Sequence, residues 1–389
     1  MASCVTTTAP SDALVPISFV QLSLPGVVAI RRRSKVRKRR TRQTGALDAS
    51  RWGHLFERKL TKAEIKHRSG FEVDRLQGVI APLRKSYYYV KDQPVGGDAP
   101  KDFIRVYEPG EGRRNSPRDW PAHIAKVGHK WYPAESITEQ LMTVIGETLG
   151  IRMAQSQLAL GEGQIRFLSR YFLGKDESLD HGAQIVAGYL ADEPFVKAIE
   201  AQGIERDIIT FQDLCDAIRT RFPSNYREIL PDFVRMIGFD ALVGNQDRHL
   251  YNWGVISDTR GVRPPRFSPI YDTARGLFWN ESEVGLARFG RSETALDKYI
   301  RTASPLIGWD LRSGEIPNHF GLIRTVITCD ASYGPVLEPM GGPKALASIG
   351  KQIDEKFSRL LSEPRRHLIK ECLRRRFELY EAALGLRQI

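Results

Sequence analysis

Asp247 and Asn252 stand five apart in the run Gly244-Asn245-Gln246-Asp247-Arg248-His249-Leu250-Tyr251-Asn252, and Asp272 follows twenty residues later in Phe267-Ser268-Pro269-Ile270-Tyr271-Asp272. One carboxylate able to orient and deprotonate an attacking hydroxyl, with an amide oxygen and a second carboxylate able to hold a divalent cation on nucleotide phosphates, are the parts phosphoryl transfer requires. Any one of the three alone reads as a turn former or a helix cap. Together, at this spacing, a tight loop can turn all three toward one cleft.

The flanking sequence supplies elements to position them. Phe233, Met236, Ile237 and Ala241 recur at helical spacing and the pattern breaks at Gly244. Gly238 is a weak point inside that helix. A polar loop follows, then a short strand over Trp253 to Ile256, a turn over Asp258 to Arg266, and a second strand over Phe267 to Tyr271 that returns Asp272 beside Asn252.

A phosphotransferase of this kind also needs a lysine on the nucleotide phosphates, fixed by a glutamate from a helix. Trp120 to Lys126 reads as an apolar strand ending on a lysine. Ile137, Leu141, Val144, Ile145 and Leu149 form an amphipathic helix with Glu139 in an early turn and Gly150 as its stop. Taken alone, Lys126 is also a solvated strand-end lysine and Glu139 a glutamate favoured by the helix dipole. Farther upstream, Gly96 and Gly97 precede Lys101 and a strand over Phe103 to Tyr107. Paired glycines let backbone amides approach phosphate oxygens, and they equally suit an ordinary hairpin turn.

The run Gly244 to Asn252 with Ser268 to Asp272 resembles the C-terminal kinase domain of the HipA-like serine/threonine kinases, and its Asp-Arg-His-x-x-Asn is shared with phosphoinositide-type kinases. The resemblance covers roughly residues 90 to 310. It implies an α+β, two-lobed protein-kinase-like fold: a basic tail over residues 1–45, a small, mostly β N-lobe over 46–166 and a larger, mostly α C-lobe over 167–389. It implies ATP and Mg²⁺ as cofactors, Asp247 as catalytic base, Asn252 and Asp272 as metal ligands, and Lys126 with Glu139 as the phosphate-anchoring pair. Gly96 and Gly97 fall at the phosphate-covering loop, and Leu168, Ser169 and Arg170 at the linker whose backbone would bond adenine. His249 either lies close to the chemistry, as in lipid-kinase relatives, or braces the loop. An antitoxin-like DNA-binding partner is the family's expectation. Two departures stand against a full match. No serine lies between Lys91 and Lys101, where the family often carries a phosphorylatable one, and the region ahead of the glycine pair is short.

The chain of 389 residues is long enough for one two-lobed domain, and its 41% hydrophobic content is ordinary for a globular protein. Cys4, Cys215, Cys329 and Cys372 form no C-x-x-C pair, which points to a reduced, cytoplasmic setting rather than to zinc. The net charge of +12 is unevenly placed: nine basic residues between Arg31 and Arg42, against Asp12 alone before residue 43, put +8 in the tail and +4 in the body. The apolar stretch Ala13 to Ile30 precedes the basic run and contains Pro16 and Pro25, unlike a signal peptide or a spanning helix. Disorder is the default for this tail; contact with nucleic acid or an anionic membrane surface is the sharper reading, and an over-called translation start is a third.

Helices are expected over Ile208 to Phe222, Leu230 to Val243, Pro343 to Leu361 and Pro364 to Leu384, with no internal repeat. Asn280 to Tyr299, charged and poor in apolar residues, would be the segment shaping the acceptor site. Three functions remain open: a protein kinase with an unidentified substrate, a kinase for a lipid or small-molecule hydroxyl, and a non-catalytic scaffold. A scaffold has no need of a base and two metal ligands.

Overall fold

The computed structural model describes residues 78–91, 101–128, 134–161, 164–310 and 317–387. The tail of residues 1–45 and the Gly96-Gly97 pair lie outside the described residues. The fold is α+β and two-lobed. Its first lobe is a six-stranded sheet of β1 (Ala81–Pro82), β2 (Tyr88–Lys91), β3 (Lys101–Val106), β4 (Ala122–Val127), β5 (Ser156–Gly161) and β6 (Gln164–Arg170), in the order β1-β5-β6-β4-β3-β2. Apart from the parallel β1–β5 pair, neighbours run antiparallel. Helix α1 (Ala134–Thr148) packs on β5 and β6.

The α1 stripe was legible because Ile137, Leu141, Val144 and Ile145 recur at three and four and are all at most 5% exposed. Each such buried side chain contributes about 1.5–3 kcal/mol of hydrophobic stabilisation. The helix stops where Gly150 takes φ 72°, a left-handed backbone that costs a residue with a Cβ. Ile104, Val106, Ala125, Ala159 and Leu168 close the other side of the sheet as a separate small core. Strand β6 continues to Arg170, so the sheet extends past the expected lobe boundary at residue 166.

The second lobe begins with β7 (Glu177–His181), α2 (Gly182–Leu190), α3 (Glu193–Gln202), α4 (Glu205–Ile208), α5 (Phe211–Arg221) and α6 (Tyr226–Val243). It continues with β8 (Gly254–Asp258), β9 (Arg266–Phe267), α7 (Glu283–Arg291), α8 (Glu293–Thr302), α9 (His319–Cys329), α10 (Gly334–Leu337), α11 (Pro343–Phe357) and α12 (Glu363–Ala383). Strands β7, β8 and β9 form a second, antiparallel sheet. Helix α6 runs through the middle, packed by α5, α9 and α12, with Phe233, Met236, Ile237 and Ala241 at most 2% exposed. Gly238 inside it has a packing reason: a Cβ there would stand 2.5 Å from Met340 Cε and 2.6 Å from Leu337 Cδ2.

Two expectations, on the strand before Asp272 and on the helix over Ile208 to Phe222, need correction. The strand over Phe267 to Tyr271 shrinks to Arg266–Phe267. Pro269 has no N–H to give a ladder, and Ile270 turns instead to the segment after α1, donating to Arg152 O at 2.8 Å and accepting from Ala154 N at 2.9 Å. The helix over Ile208 to Phe222 is interrupted, because Thr210 and Asp213 form a capping box that starts α5 afresh. The segment Asn280 to Tyr299 is largely helical: α7 and α8 bury Leu286, Phe289, Leu296 and Ile300 against the lobe, and Tyr299 stacks on Phe278 with ring centroids 4.4 Å apart. Four apolar anchors at helical spacing suffice to fix a segment that is otherwise charged. Among the described residues, no helix is long and apolar enough to cross a membrane.

Candidate active site

Helix α6 ends on Gly244, whose φ of 68° turns the chain out of the helix, and where a Cβ would stand 2.9 Å from the Arg376 guanidinium carbon. The loop that follows is organised by Arg248, which is 2% exposed. Its guanidinium forks onto Asp240 of α6, with Nε to Oδ2 at 2.8 Å and Nη2 to Oδ1 at 2.9 Å. Its Nη1 donates to the carbonyls of Asn252 and Tyr271, each at 2.8 Å. One buried side chain therefore ties together the helix, the end of the loop and the residue before Asp272. Asn245 adds a 2.9 Å bond to Asp240, and Asn252 Nδ2 donates to Asp247 O at 2.6 Å, closing the loop on itself. That donation orients the Asn252 amide, so that its Oδ1 is the end left to accept a cation.

Asp272 carries a φ of 53°, the left-handed region in which a non-glycine residue is strained by about 1–2 kcal/mol. Two lysines hold it there. Lys126 Nζ lies 2.9 Å from Oδ1 and Lys101 Nζ 3.3 Å from Oδ2. Lys101 and Lys126 are register partners in the β3–β4 pair, so their side chains leave the same face of the sheet. Lys126 also donates to Glu139 Oε1 of α1 at 2.6 Å. Burial disfavours charge on all three groups, with different outcomes. The carboxylates of Asp272 and Glu139 outweigh burial at Lys126 and hold its ammonium above the usual lysine range. Lys126 and Lys101 likewise hold Asp272 well below the usual carboxylate range. At Glu139 burial wins, helped by the Asp272 charge and opposed by Lys126, and its carboxyl is pushed up to about 7.

Asp247 faces this cluster from the loop. Burial raises its pKa, while the neighbouring Arg275 and His249 oppose the rise. Arg275 Nε lies 3.7 Å from Asp247 Oδ2 and 3.3 Å from Glu135 Oε1 of α1, and its guanidinium lies over the Trp279 ring at 4.3 Å. His249 Nδ1 accepts the Tyr251 N–H at 3.3 Å, a contact within the loop.

All these groups open on one cleft of about 1080 Å³ between the sheet and the helical lobe. Lys126, Glu139, Asp247, His249, Asn252 and Asp272 line it together, joined by Lys101, Glu135 and Arg275. Ser169 and Arg170 line it too, whereas Leu168 is 1% exposed in the small sheet core. Strand β6 is interior, paired on both sides, with Arg170 N bonded to Gln155 O and Tyr171 N to Ala122 O, each at 2.8 Å. Past that point Tyr171, Phe172 and Leu173 carry the chain along the cleft.

Sequence reasoning assigned no role to Arg248, Asp240, Arg275 or Glu135. Arg248 sits inside the motif, but its partner Asp240 lies two helical turns earlier, at a position that reads as another polar residue on α6. Asp272 and Asn252 offer hard oxygen donors, and Mg²⁺ bound with nucleotide takes one or two protein ligands, the phosphates and water supplying the rest. The residues present fit that cation.

A sheet-rich lobe, a helical lobe, and a cleft where a lysine–glutamate pair meets Asp247, Asn252 and Asp272 define a protein with the kinase-like fold. The chain belongs to the HipA-like C-terminal domain family, whose model matches residues 94–314. Among solved structures it is similar to the proinflammatory kinase CtkA of Helicobacter pylori, at 16% identity and a TM-score of 0.61, covering 79% of this chain and 100% of that one. A second similar structure is HipA of Shewanella oneidensis MR-1, in a complex with HipB and operator DNA, at 14% identity and a TM-score of 0.44, covering 84% and 72% of the two chains. No curated protein sequence matches the chain.

Proposed function

We propose that the protein is an ATP- and Mg²⁺-dependent serine/threonine kinase acting on a protein hydroxyl. The observation that carries this reading is the Lys126–Glu139 pair at 2.6 Å, set across one cleft from Asp247, Asn252 and Asp272. A lysine braced by a buried glutamate has little use on a surface that only binds, and suits polyphosphate. Lys126 and Lys101 are placed to hold phosphate oxygens. Asp272 and Asn252 would hold the metal, which when bound neutralises charge on the phosphates. Asp247 orients the acceptor hydroxyl and takes its proton as the new O–P bond forms and the bond to ADP breaks, with ADP leaving. Arg275, 3.7 Å from its Oδ2, favours the ionised form of Asp247 against the effect of burial.

The test is incubation of the purified protein with γ-labelled ATP, Mg²⁺ and a cell lysate. Label in protein supports the reading, provided that Asp247→Asn abolishes it. Label in lipid or a small molecule would move the acceptor to another class, and absence of label from every fraction would reject transfer. A DNA-binding, antitoxin-like partner belongs to the same reading at the family level and is tested by co-purification from the native source.

A further inference from the structure

The same cleft is also lined by Lys197, Glu200, Ala201, Gly203, Glu205 and Leu306. Glu200 lies near the end of α3 and Glu205 begins α4, with Gly203 turning the chain between them at φ 64°. Glu205 is 4% exposed, lines the cleft, and its carboxylate has no hydrogen bond or ion pair among the described residues. Its stem is packed away while its carboxylate opens on the cleft without a protein partner, which leaves it able to take a ligand there.

Glu200 is scarcely better served. His249 Nδ1 lies 3.6 Å from its Oε1, beyond hydrogen-bond range. That nitrogen is the acceptor of the Tyr251 N–H at 3.3 Å. Lys197 is occupied 2.6 Å from Glu193, and Arg206 directs Nη2 to Pro317 O at 2.9 Å. Burial and the Glu205 charge push the Glu200 carboxyl up to about 7, the behaviour of two acids lacking a shared counter-charge.

We propose that Glu200 and Glu205 form a specificity site for a cationic side chain, above all arginine, carried by the acceptor polypeptide close to the hydroxyl it presents to Asp247. A planar guanidinium can fork onto two carboxylates at once, which an ammonium does less well. The location fits, because His249 contacts the Glu200 side and lies two residues from the base whose charge it influences. The inference rests on the phosphotransfer reading and adds to it which acceptors are taken.

The test uses the full chain and serine peptides that carry a single arginine at each position from three before to three after the serine, with alanine and glutamate counterparts. Binding by fluorescence anisotropy and transfer from γ-labelled ATP are both measured. The expected result is a preference for one arginine position over alanine of roughly tenfold or more, the scale of a hydrogen bond to a charged group. In Glu200→Gln and Glu205→Gln the ratio should fall toward one, and in Glu200→Arg the glutamate peptide should become preferred. Because the ratio is taken within each variant, partial loss of folding cancels, and Glu200→Gln alone decides if Glu205→Gln does not fold. Transfer without arginine preference, or a preference that survives Glu200→Gln, overturns the proposal. Arginine-dependent binding lost in Glu200→Gln, without transfer by the wild type, would uphold this site and reject the kinase reading instead.

Discussion

The ammonium of Lys126 lies 2.9 Å from Oδ1 of Asp272, so a strand of the sheet and the end of the return segment after β9 are joined across the cleft by one charged contact. The same ammonium is braced by Glu139, and the three residues act as a unit.

Units of this kind show non-additive losses. Lys126→Met should remove most phosphotransfer, Glu139→Gln should weaken it, and the double variant should be little worse than Lys126→Met. The coupling expected from kcat/KM for ATP is on the order of 1–3 kcal/mol for residues in contact. Additive losses would make Lys101, the register partner of Lys126, the phosphate anchor.

Binding and chemistry should separate at the two aspartates. Asp272→Ala removes a metal ligand and should abolish Mg²⁺-dependent ATP binding, whereas Asp247→Asn should leave ATP affinity within a few-fold and stop turnover. Isothermal titration with ATP, with and without Mg²⁺, checks the first half, and a labelled-phosphate assay the second. Equal losses of affinity would show the roles to be wrongly assigned.

Arg275 supplies a pH test. Its positive charge lowers the Asp247 pKa against the rise caused by burial. A base must be ionised to work, so activity falls as pH drops through its pKa. Arg275→Ala withdraws the opposing charge, the pKa rises further, and the acid limb of the kcat/KM profile should move to higher pH. An unmoved or lowered limb would remove Arg275 from this role.

The buried fork of Arg248 onto Asp240 should matter first for folding. Arg248→Met strands a carboxylate that is 2% exposed, and loss of one partner of a buried pair costs about 3–5 kcal/mol. Urea unfolding should show that loss in the midpoint. A change below ~1 kcal/mol would place the pair on the scale of surface ion pairs.

The parts of this site carried by local pattern were legible in the sequence. Asp247, Asn252 and Asp272 are bound to a short loop and a return segment, and Lys126 and Glu139 to a strand end and a helix whose apolar stripe is plain. The family model spans residues 94–314, close to the 90–310 covered by the resemblance. What stayed hidden depends on contacts distant in sequence. Ile270 leaves the expected strand because Arg152 and Ala154 offer it bonds, and Arg275 acquires meaning only when α1 brings Glu135 beside it. Leu168 lies in the expected linker stretch, yet the sheet consumes its backbone from both sides. Periodicity describes how a segment meets the core, not which remote carbonyl takes its N–H.

The bonds between Ile270 and the Arg152–Ala154 segment bear on how the two lobes can move against each other. They fasten the stretch leading to Asp272 to the chain between α1 and β5, and Arg152 Nη2 adds a bond to Phe267 O. A rocking motion that widened the mouth would find its fulcrum at this stitch, where relative travel is smallest. Tyr271, one residue on, is fastened through Arg248 to Asp240 and Asn252, so Asp272 stands at the joint where both lobes take hold, and the Asp247 loop and the two lysines would turn about it rather than carry it off with either side.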